Sequence, residues 1–386
     1  MAKRNNKYKK EVEEVVRHAP TWVIVVAIIL AILIGAGYLF YTKYYKKQTE
    51  IEAKGEISFH FMMLGNKNTG DSIYIKAGNN DILIDAGSKT NSIDDIKNYL
   101  DNFVTDNKLE FVVATHADQD HIAGFSKADG SIFDLYQCEK IITFALTDKT
   151  TETYNGYCSE LADEVTNGAV HYTALECYNN EKGAKRVYDL TEDGNVKMEI
   201  LYNYYYENSS NDENNYSVCI MFHHGSRKFL FTGDLEKDGE EKLSEFYDFS
   251  QVELFKAGHH GSYTSSNECL LSEIKPKMSV VCCCAGSIER NTKPENLFPS
   301  QNFIDRMGKY TSAIYASTAM DYQVPTGSAT VSSSDNIGDI ITLNGNIQVI
   351  SDAEKGVYVD CSNNNLKLKE TEWFSKYRTW PKDGVN

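Results

Sequence analysis

Apolar positions along the chain fall into one long run and a series of short ones. From Ala19 to Thr42 there is no charged residue, and Trp22 to Leu39 is almost wholly apolar. About 20 such residues in a helix reach across a ~30 Å hydrocarbon core, which predicts a membrane anchor over 21–42. Trp22 at one end and Tyr38, Tyr41, Tyr44 and Tyr45 at the other fit interfacial aromatic belts. Gly35-Ala36-Gly37 raises a cleaved signal peptide as the alternative, but the apolar core continues through Tyr38-Leu39-Phe40 and is too long for one. Lys3, Arg4, Lys7, Lys9, Lys10 and Arg17 precede the run, and Lys43, Lys46 and Lys47 follow it. This asymmetry makes 1–20 a cytoplasmic basic tail and 43–55 a linker. It predicts a cell-membrane protein with a single pass, the rest of the chain being extracellular.

The short runs read as strands, and each stops at chemically able residues. Asp81-Ile82-Leu83-Ile84 is closed by Asp85-Ala86-Gly87, and Lys228-Phe229-Leu230-Phe231 by Thr232-Gly233-Asp234. Phe111-Val112-Val113 runs into Ala114-Thr115-His116, and Val252-Glu253-Leu254-Phe255 leads through Lys256 to His259-His260-Gly261-Ser262. Singly, such endings are ordinary turn chemistry. Met278–Val281 with Cys282-Cys283-Cys284 reads as a buried strand, and Pro299 to Tyr315 as a helix leading into a strand.

One of these endings is not turn chemistry. His116-Ala117-Asp118-Gln119-Asp120-His121 places two imidazoles and two carboxylates within six residues, a spacing that chelates hard and borderline cations. It predicts a metal site.

The order of the endings resembles the metallo-β-lactamase superfamily, and more narrowly the hydrolase domain of ComEC-type competence proteins. The resemblance rests on H-x-D-x-D-H at 116–121, T-G-D at 232–234 and K-x-x-H-H-G-S at 256–262. Gly70-Asp71-Ser72-Ile73-Tyr74-Ile75 and Gly338-Asp339-Ile340-Ile341-Thr342 extend it, so it spans about residues 56–350. It implies an α/β, four-layered αββα sandwich that binds one or two divalent metal ions. The metal ligands would be His116, Asp118, Asp120, His121, Asp234, and one of His259 and His260. His116, Asp118 and Asp234 would hold one ion; Asp120, His121, Asp234 and the fifth-motif histidine would hold the other. Asp85 would orient a ligand histidine. Lys256 would balance substrate phosphate or be a strand-edge lysine in water.

Two departures stand out. No histidine precedes the Asp234 strand at the third motif. If Ser217–His223 and Lys228–Asp234 pair around a turn at 224–227, His223 faces Lys228, about 20 Å from Asp234 at ~3.3 Å per residue. His223 and His224 are therefore read as a polar hairpin tip, and Asn215 and Ser217 as the residues replacing the third motif. Phe298-Pro299-Ser300 stands where relatives commonly read His-Pro-Ser.

Two ions sharing a carboxylate can clamp the attacking and leaving oxygens of a phosphoryl group, with water acidified toward a pKa of about 7. Asp118 hardens the first site, favouring Mn²⁺ or Mg²⁺ more than an all-imidazole site would, with Zn²⁺ still suitable. The implied activity is metal-dependent phosphodiester hydrolysis, with Asp120 positioning the nucleophile and DNA or another phosphodiester as substrate. Esterase, lactonase or thioesterase chemistry, or an inactive binding module, are the alternatives. Nine Lys/Arg and three Asp/Glu precede residue 48, leaving 30 basic against 52 acidic residues, a net −22, in the 339 that follow. That balance offers no general attraction for DNA.

Nine cysteines without a C-x-x-C pattern read as small buried hydrophobes, with Cys158–Cys177 a conceivable disulfide. Leu201–Tyr206 reads as a core strand or as an aromatic wall above the metals. Residues 351–386 read as a polar tail whose Trp373, Phe374 and Trp380 pack back onto the domain. No protein partner is derivable.

Overall fold

The computed structural model describes residues 20–40, 52–325, 328–331 and 338–386, and the chain divides into two compact units at residues 52 and 53. Thr21–Phe40 is helical, but among the described residues no helix is long and apolar enough to cross a membrane. This corrects the expected single-pass anchor and the cell-membrane location that rested on it. The basic tail before Pro20, Tyr41, Tyr44, Tyr45 and most of the 43–55 linker lie outside the described residues.

The second unit is built on two eight-stranded sheets. In chain order the first comprises β1 (Glu56–Phe61), β2 (Ile73–Ala77), β3 (Asn80–Ile84), β4 (Lys108–Ala114), β5 (Gln137–Thr143) and β6 (Val170–Thr173). The second comprises β7 (Val187–Asp189), β8 (Val196–Ile200), β9 (Ile220–His224), β10 (Arg227–Phe231), β11 (Leu254–Lys256), β12 (Met278–Ala285), β13 (Ile314–Met320) and β14 (Ile340–Thr342). The chain then returns to the first sheet with β15 (Ile347–Asp352) and β16 (Gly356–Cys361), giving the orders β16-β15-β1-β2-β3-β4-β5-β6 and β14-β13-β12-β11-β10-β9-β8-β7. Pairing is parallel from β3 to β6 and from β10 to β13, and antiparallel elsewhere.

The sheets pack face to face through aromatic side chains. Phe59 of β1 lies 5.5, 4.7 and 5.5 Å from the rings of Phe222, Phe229 and Phe231 on the opposite sheet. Both faces of the central strands are buried, as in Ile82, Leu83 and Ile84 or Val280 and Val281, so helices must cover the outer faces. Ile93–Leu100 turns Ile93, Ile96 and Leu100 inward on one side, and Glu268–Ile274 with Gln301–Met307 buries Leu270, Leu271, Ile274, Phe303, Ile304 and Met307 on the other. This is the two-sheet α/β sandwich that the resemblance implies.

The β9–β10 hairpin has the expected register, with Lys228 opposite His223. His224, however, is fully buried, bonded through its ring to Ser351 Oγ and Lys54 O. The returning β15 covers it, so it is no solvated tip. Leu201–Tyr206 is not a strand: Tyr204–Tyr206 is a 3₁₀ turn whose Tyr206 hydroxyl accepts from Cys219 N at 2.9 Å. Segment 351–361 supplies all of β16 and the end of β15, so it is a sheet edge, whereas Trp373 and Phe374 are core side chains. All nine cysteines are free, with Cys158 exposed and Cys177 buried, which removes that disulfide. Cys282, Cys283 and Cys284 are buried in β12 as expected.

One buried carboxylate controls the loop after the His259-His260 turn. Glu240 accepts from Ser266 N at 2.6 Å and from Asn267 N and Nδ2 at 2.8 Å, with Arg306 nearby. Burial outweighs these donors and pushes its pKa from 4.5 up to about 7. The folded state thus holds this proton more tightly than the unfolded chain. Its contribution is full below pH 4.5 and fades as pH rises to about 7, a loss of roughly 3 kcal/mol. Glu240→Gln removes the titration, so the wild-type-minus-variant difference in urea midpoint should slope downward across that window. A flat difference would refute the assignment.

Candidate metal centre

The site lies where strands of both sheets end. Asp85 follows β3, Thr115 and His116 follow β4, Asp234 follows β10, and Ala257 to His260 follow β11. Carboxyl ends of parallel strands are where open α/β sheets gather ligands. Close backbone packing sets the loops. A Cβ on Gly87 would lie 1.5 Å from Asp120 O, so only glycine lets the 118–121 turn settle there. Gly233 has φ +56° and sits against Ser217.

Three imidazoles converge, each with Nδ1 engaged elsewhere. His121 Nδ1 is 2.7 Å from Asp85 Oδ2, His260 Nδ1 is 2.8 Å from Cys282 O, and His116 Nδ1 is 3.2 Å from Thr115 Oγ1. Every Nε2 is thereby left facing the centre, the orientation that a metal-binding imidazole requires. Asp85 is itself held by Thr115 N and Thr115 Oγ1, both at 2.7 Å. Asp234 Oδ2 lies 3.1 Å from His121 Nε2 and 3.0 Å from His260 Nε2, and Asp120 Oδ2 lies 3.3 Å from His260 Nε2. Potential ligand atoms of His116, His121 and Asp234, and of Asp120, His121 and His260, each fall within 4.8 Å of one another.

The electrostatics are those of a cation site. His121, despite burial, is raised well above the ordinary histidine range by Asp234 and Asp85. His260 is raised likewise, against burial, by Asp234 and Asp71. His116 is driven down to about 3 by burial and by neighbouring His121. Burial resists the charge on Asp234, but His260, Lys256 and His121 hold it well below the usual carboxylate range. The buried Nε2 of His116 nevertheless has no hydrogen-bond partner. An orphaned lone pair in a carboxylate-rich pocket is what a divalent ion would satisfy, so the residues fit a metal.

A metallo-β-lactamase superfamily model matches residues 65–159 and 212–285. The chain carries a metallo-β-lactamase domain. It is 25% identical over 174 residues to ComE operon protein 3 of Bacillus subtilis, covering 45% of this chain and 20% of that protein. It is 24% identical over 216 residues to Recombination protein 2 of Haemophilus influenzae, covering 56% and 22%. The chain therefore spans about a fifth of these curated relatives, which are of the ComEC type. Among solved structures, the metallo-β-lactamase fold protein YhfI of Bacillus subtilis aligns with a TM-score of 0.40 at 14% identity, over 68% of this chain and 96% of that one.

The metallo-β-lactamase domain brings His116, Asp120, His121, Asp234 and His260 together. It sets His259 aside: that ring meets Glu236 Oε1 at 3.0 Å and Thr264 Oγ1 at 3.2 Å. Asp118 sits at the rim, 3.7 Å from His116 Nε2 and paired with Lys149. Asn215 and Ser217 add no ligand to the cluster. Ser217 Oγ accepts from Asp234 N at 3.0 Å and Asn215 Oδ1 from Glu236 N at 3.3 Å, so they brace the Asp234 turn. Phe298 lies edge-on to the His259 ring at 5.5 Å and tilted to the His260 ring at 6.0 Å.

Lys256 differs from both expectations. It is 1% exposed and held 2.5 Å from Asp71 Oδ2 and 3.0 Å from Asp234 Oδ1. It neutralises the site's own carboxylates rather than facing water or substrate. Asp71, which the sequence offered only within Gly70-Asp71-Ser72, is part of the centre. Burial opposes its ionisation, yet Lys256 and His260 hold it down to about 2. Its main chain also bonds Asp120 O and Gly87 N. Arg290, 2.7 Å from Asp120 Oδ2, is the other residue with no sequence motif.

His260→Ala is expected to strip bound metal, whereas His259→Ala and His223→Ala should retain it. Metal content of the purified variants decides this. Equal loss from His259→Ala would overturn the choice between the two histidines.

Proposed function

We propose that the domain is a metal-dependent phosphodiesterase. The supporting observation is the donor set: three Nε2 atoms facing Asp234 and Asp120, with Asp118 at the rim and Asp71 beneath. So many carboxylates make a hard, anionic site suited to ions that work on phosphate oxygens. His116, His121, His260, Asp234 and Asp120 would hold one or two divalent ions, Mn²⁺ and Zn²⁺ both suiting the set. A divalent ion held there supplies Lewis acidity toward a phosphoryl oxygen and lowers the pKa of water. The chain's own contribution is positional. Asp85 aims His121, Cys282 O aims His260, Ser217 fixes the Asp234 turn, and Phe298 keeps one side apolar. Asp120, which pairs with Arg290, would orient an attacking water.

Likeness to competence proteins supports DNA as substrate, whereas the net charge of −22 beyond residue 47 favours a small or non-nucleic phosphodiester. The test is hydrolysis of bis(p-nitrophenyl) phosphate and of single- and double-stranded DNA by the Mn²⁺- or Zn²⁺-loaded chain. Turnover of the small diester without DNA cleavage selects the second substrate class. Opening of lactones or thioesters with no phosphodiester cleaved would overturn the proposal.

A further inference from the structure

Two cations stand at the rim of the centre, and the proposed reaction has not used them. Arg290 reaches Asp120 Oδ2 at 2.7 Å, and Lys149 pairs with Asp118 Oδ1. Their partners are the two aspartates of one short segment, and Arg290 feels the charge of Asp118 as well as that of Asp120. Neither side chain is sealed in: Arg290 is 39% and Lys149 30% exposed. In so acidic a domain, two basic groups at this place are not expected from average composition.

Both cations ride on loops that are fastened to the site. Glu289, beside Arg290, accepts from Thr69 N at 2.9 Å and pairs with Lys89 at 2.9 Å. On the other side, Glu213 accepts from Ala117 N at 3.2 Å and from Thr147 Oγ1 at 2.9 Å, and Lys149 N donates to Thr147 Oγ1 at 3.0 Å. The 116–118 and 147–149 segments are thus tied through one carboxylate. Cations on anchored loops bind with little ordering cost.

We propose that Arg290 and Lys149 grip the phosphate of the substrate. They pair with Asp120 and Asp118. An ion held by Asp120 would draw on that carboxylate, so Arg290, with Lys149 beside Asp118, would be free to meet an anion seated at the centre. Arg290 offers a planar fork that matches two phosphate oxygens, and Lys149 a single point charge. The inference rests on the phosphodiesterase reading for its substrate, but anion binding can be measured without turnover.

The experiment titrates inorganic phosphate into the metal-loaded full chain by calorimetry, with metal content measured for each variant. Wild type should bind phosphate. Arg290→Ala and Lys149→Ala should each weaken it about tenfold or more with metal content unchanged, and Arg290→Lys should recover part of the loss. For bis(p-nitrophenyl) phosphate the same variants should raise KM. If phosphate binding is lost in the variants but wild type cleaves no phosphodiester, the anion grip stands and the phosphodiesterase reading falls. Wild-type phosphate affinity in both alanine variants, loss of metal from Arg290→Ala, or no phosphate binding by wild type would each overturn the grip.

Discussion

Lys256→Met is expected to destabilise the metal-free protein by about 3–5 kcal/mol, the cost of removing one partner from a buried ion pair. The ammonium is 2.5 Å from Asp71 and 3.0 Å from Asp234, and it also donates to Gly233 O at 3.0 Å. Methionine fills the volume but leaves two carboxylates at the sheet interface without their common cation. Two rescues follow from this cause. Adding Asp71→Asn to Lys256→Met should restore much of the loss, because one of the stranded charges is gone. Saturating Mn²⁺ or Zn²⁺ should also raise the variant's melting temperature more than that of the wild type. Chemical denaturation with and without chelator measures both. If Lys256→Met were neutral without metal, the lysine would not be the counter-charge described.

Asp234→Asn is expected to lose metal and to lower the proposed phosphodiester turnover by well over about a hundredfold, since even residues that only orient a ligand cost 10–100-fold. The geometry explains why so small a change acts so strongly. Lys256 donates to Oδ1, so an asparagine would keep its carbonyl there and turn its amide toward His121 and His260. A donor would then face the Nε2 atoms where a cation belongs. Metal content, turnover and circular dichroism on one preparation separate loss of the site from loss of the fold. Full metal content in Asp234→Asn would refute the placement of Asp234 at the centre.

Much of this centre was legible because strand ends announce themselves. An apolar run closed by Asp-Ala-Gly, Thr-His or Thr-Gly-Asp tells where a strand stops, and the carboxyl ends of parallel strands gather in space. The hairpin register was legible for the same reason: counting residues placed His223 away from Asp234, and Lys228 does face His223. What escaped has local causes. Asp71 sits in an ordinary Gly-Asp-Ser turn, and only the packing of that turn on Asp120 gives it a role. Lysine is almost never fully buried, so its fixed place between two aspartates cannot be read from one dimension. Arg290 lies on a loop with no periodicity. His224 is buried because β15 returns from 123 residues later in the chain. Leu201–Tyr206 has the apolar content of a strand, but its Tyr206 hydroxyl accepts from Cys219 N, which favours a turn.

The centre draws its groups from both sheets: Asp71, Asp85, His116, Asp120 and His121 from one, Asp234, Lys256 and His260 from the other. An ion coordinated across that seam would act as a rivet between two halves that are otherwise joined by side-chain packing and by the strands that cross over. Its binding energy would then be shared by the whole sandwich rather than confined to a few loops. Amide exchange in β4 and β10 should slow together when metal is added and quicken together when it is chelated, and the metal would then set the cohesion of the sandwich as well as its chemistry.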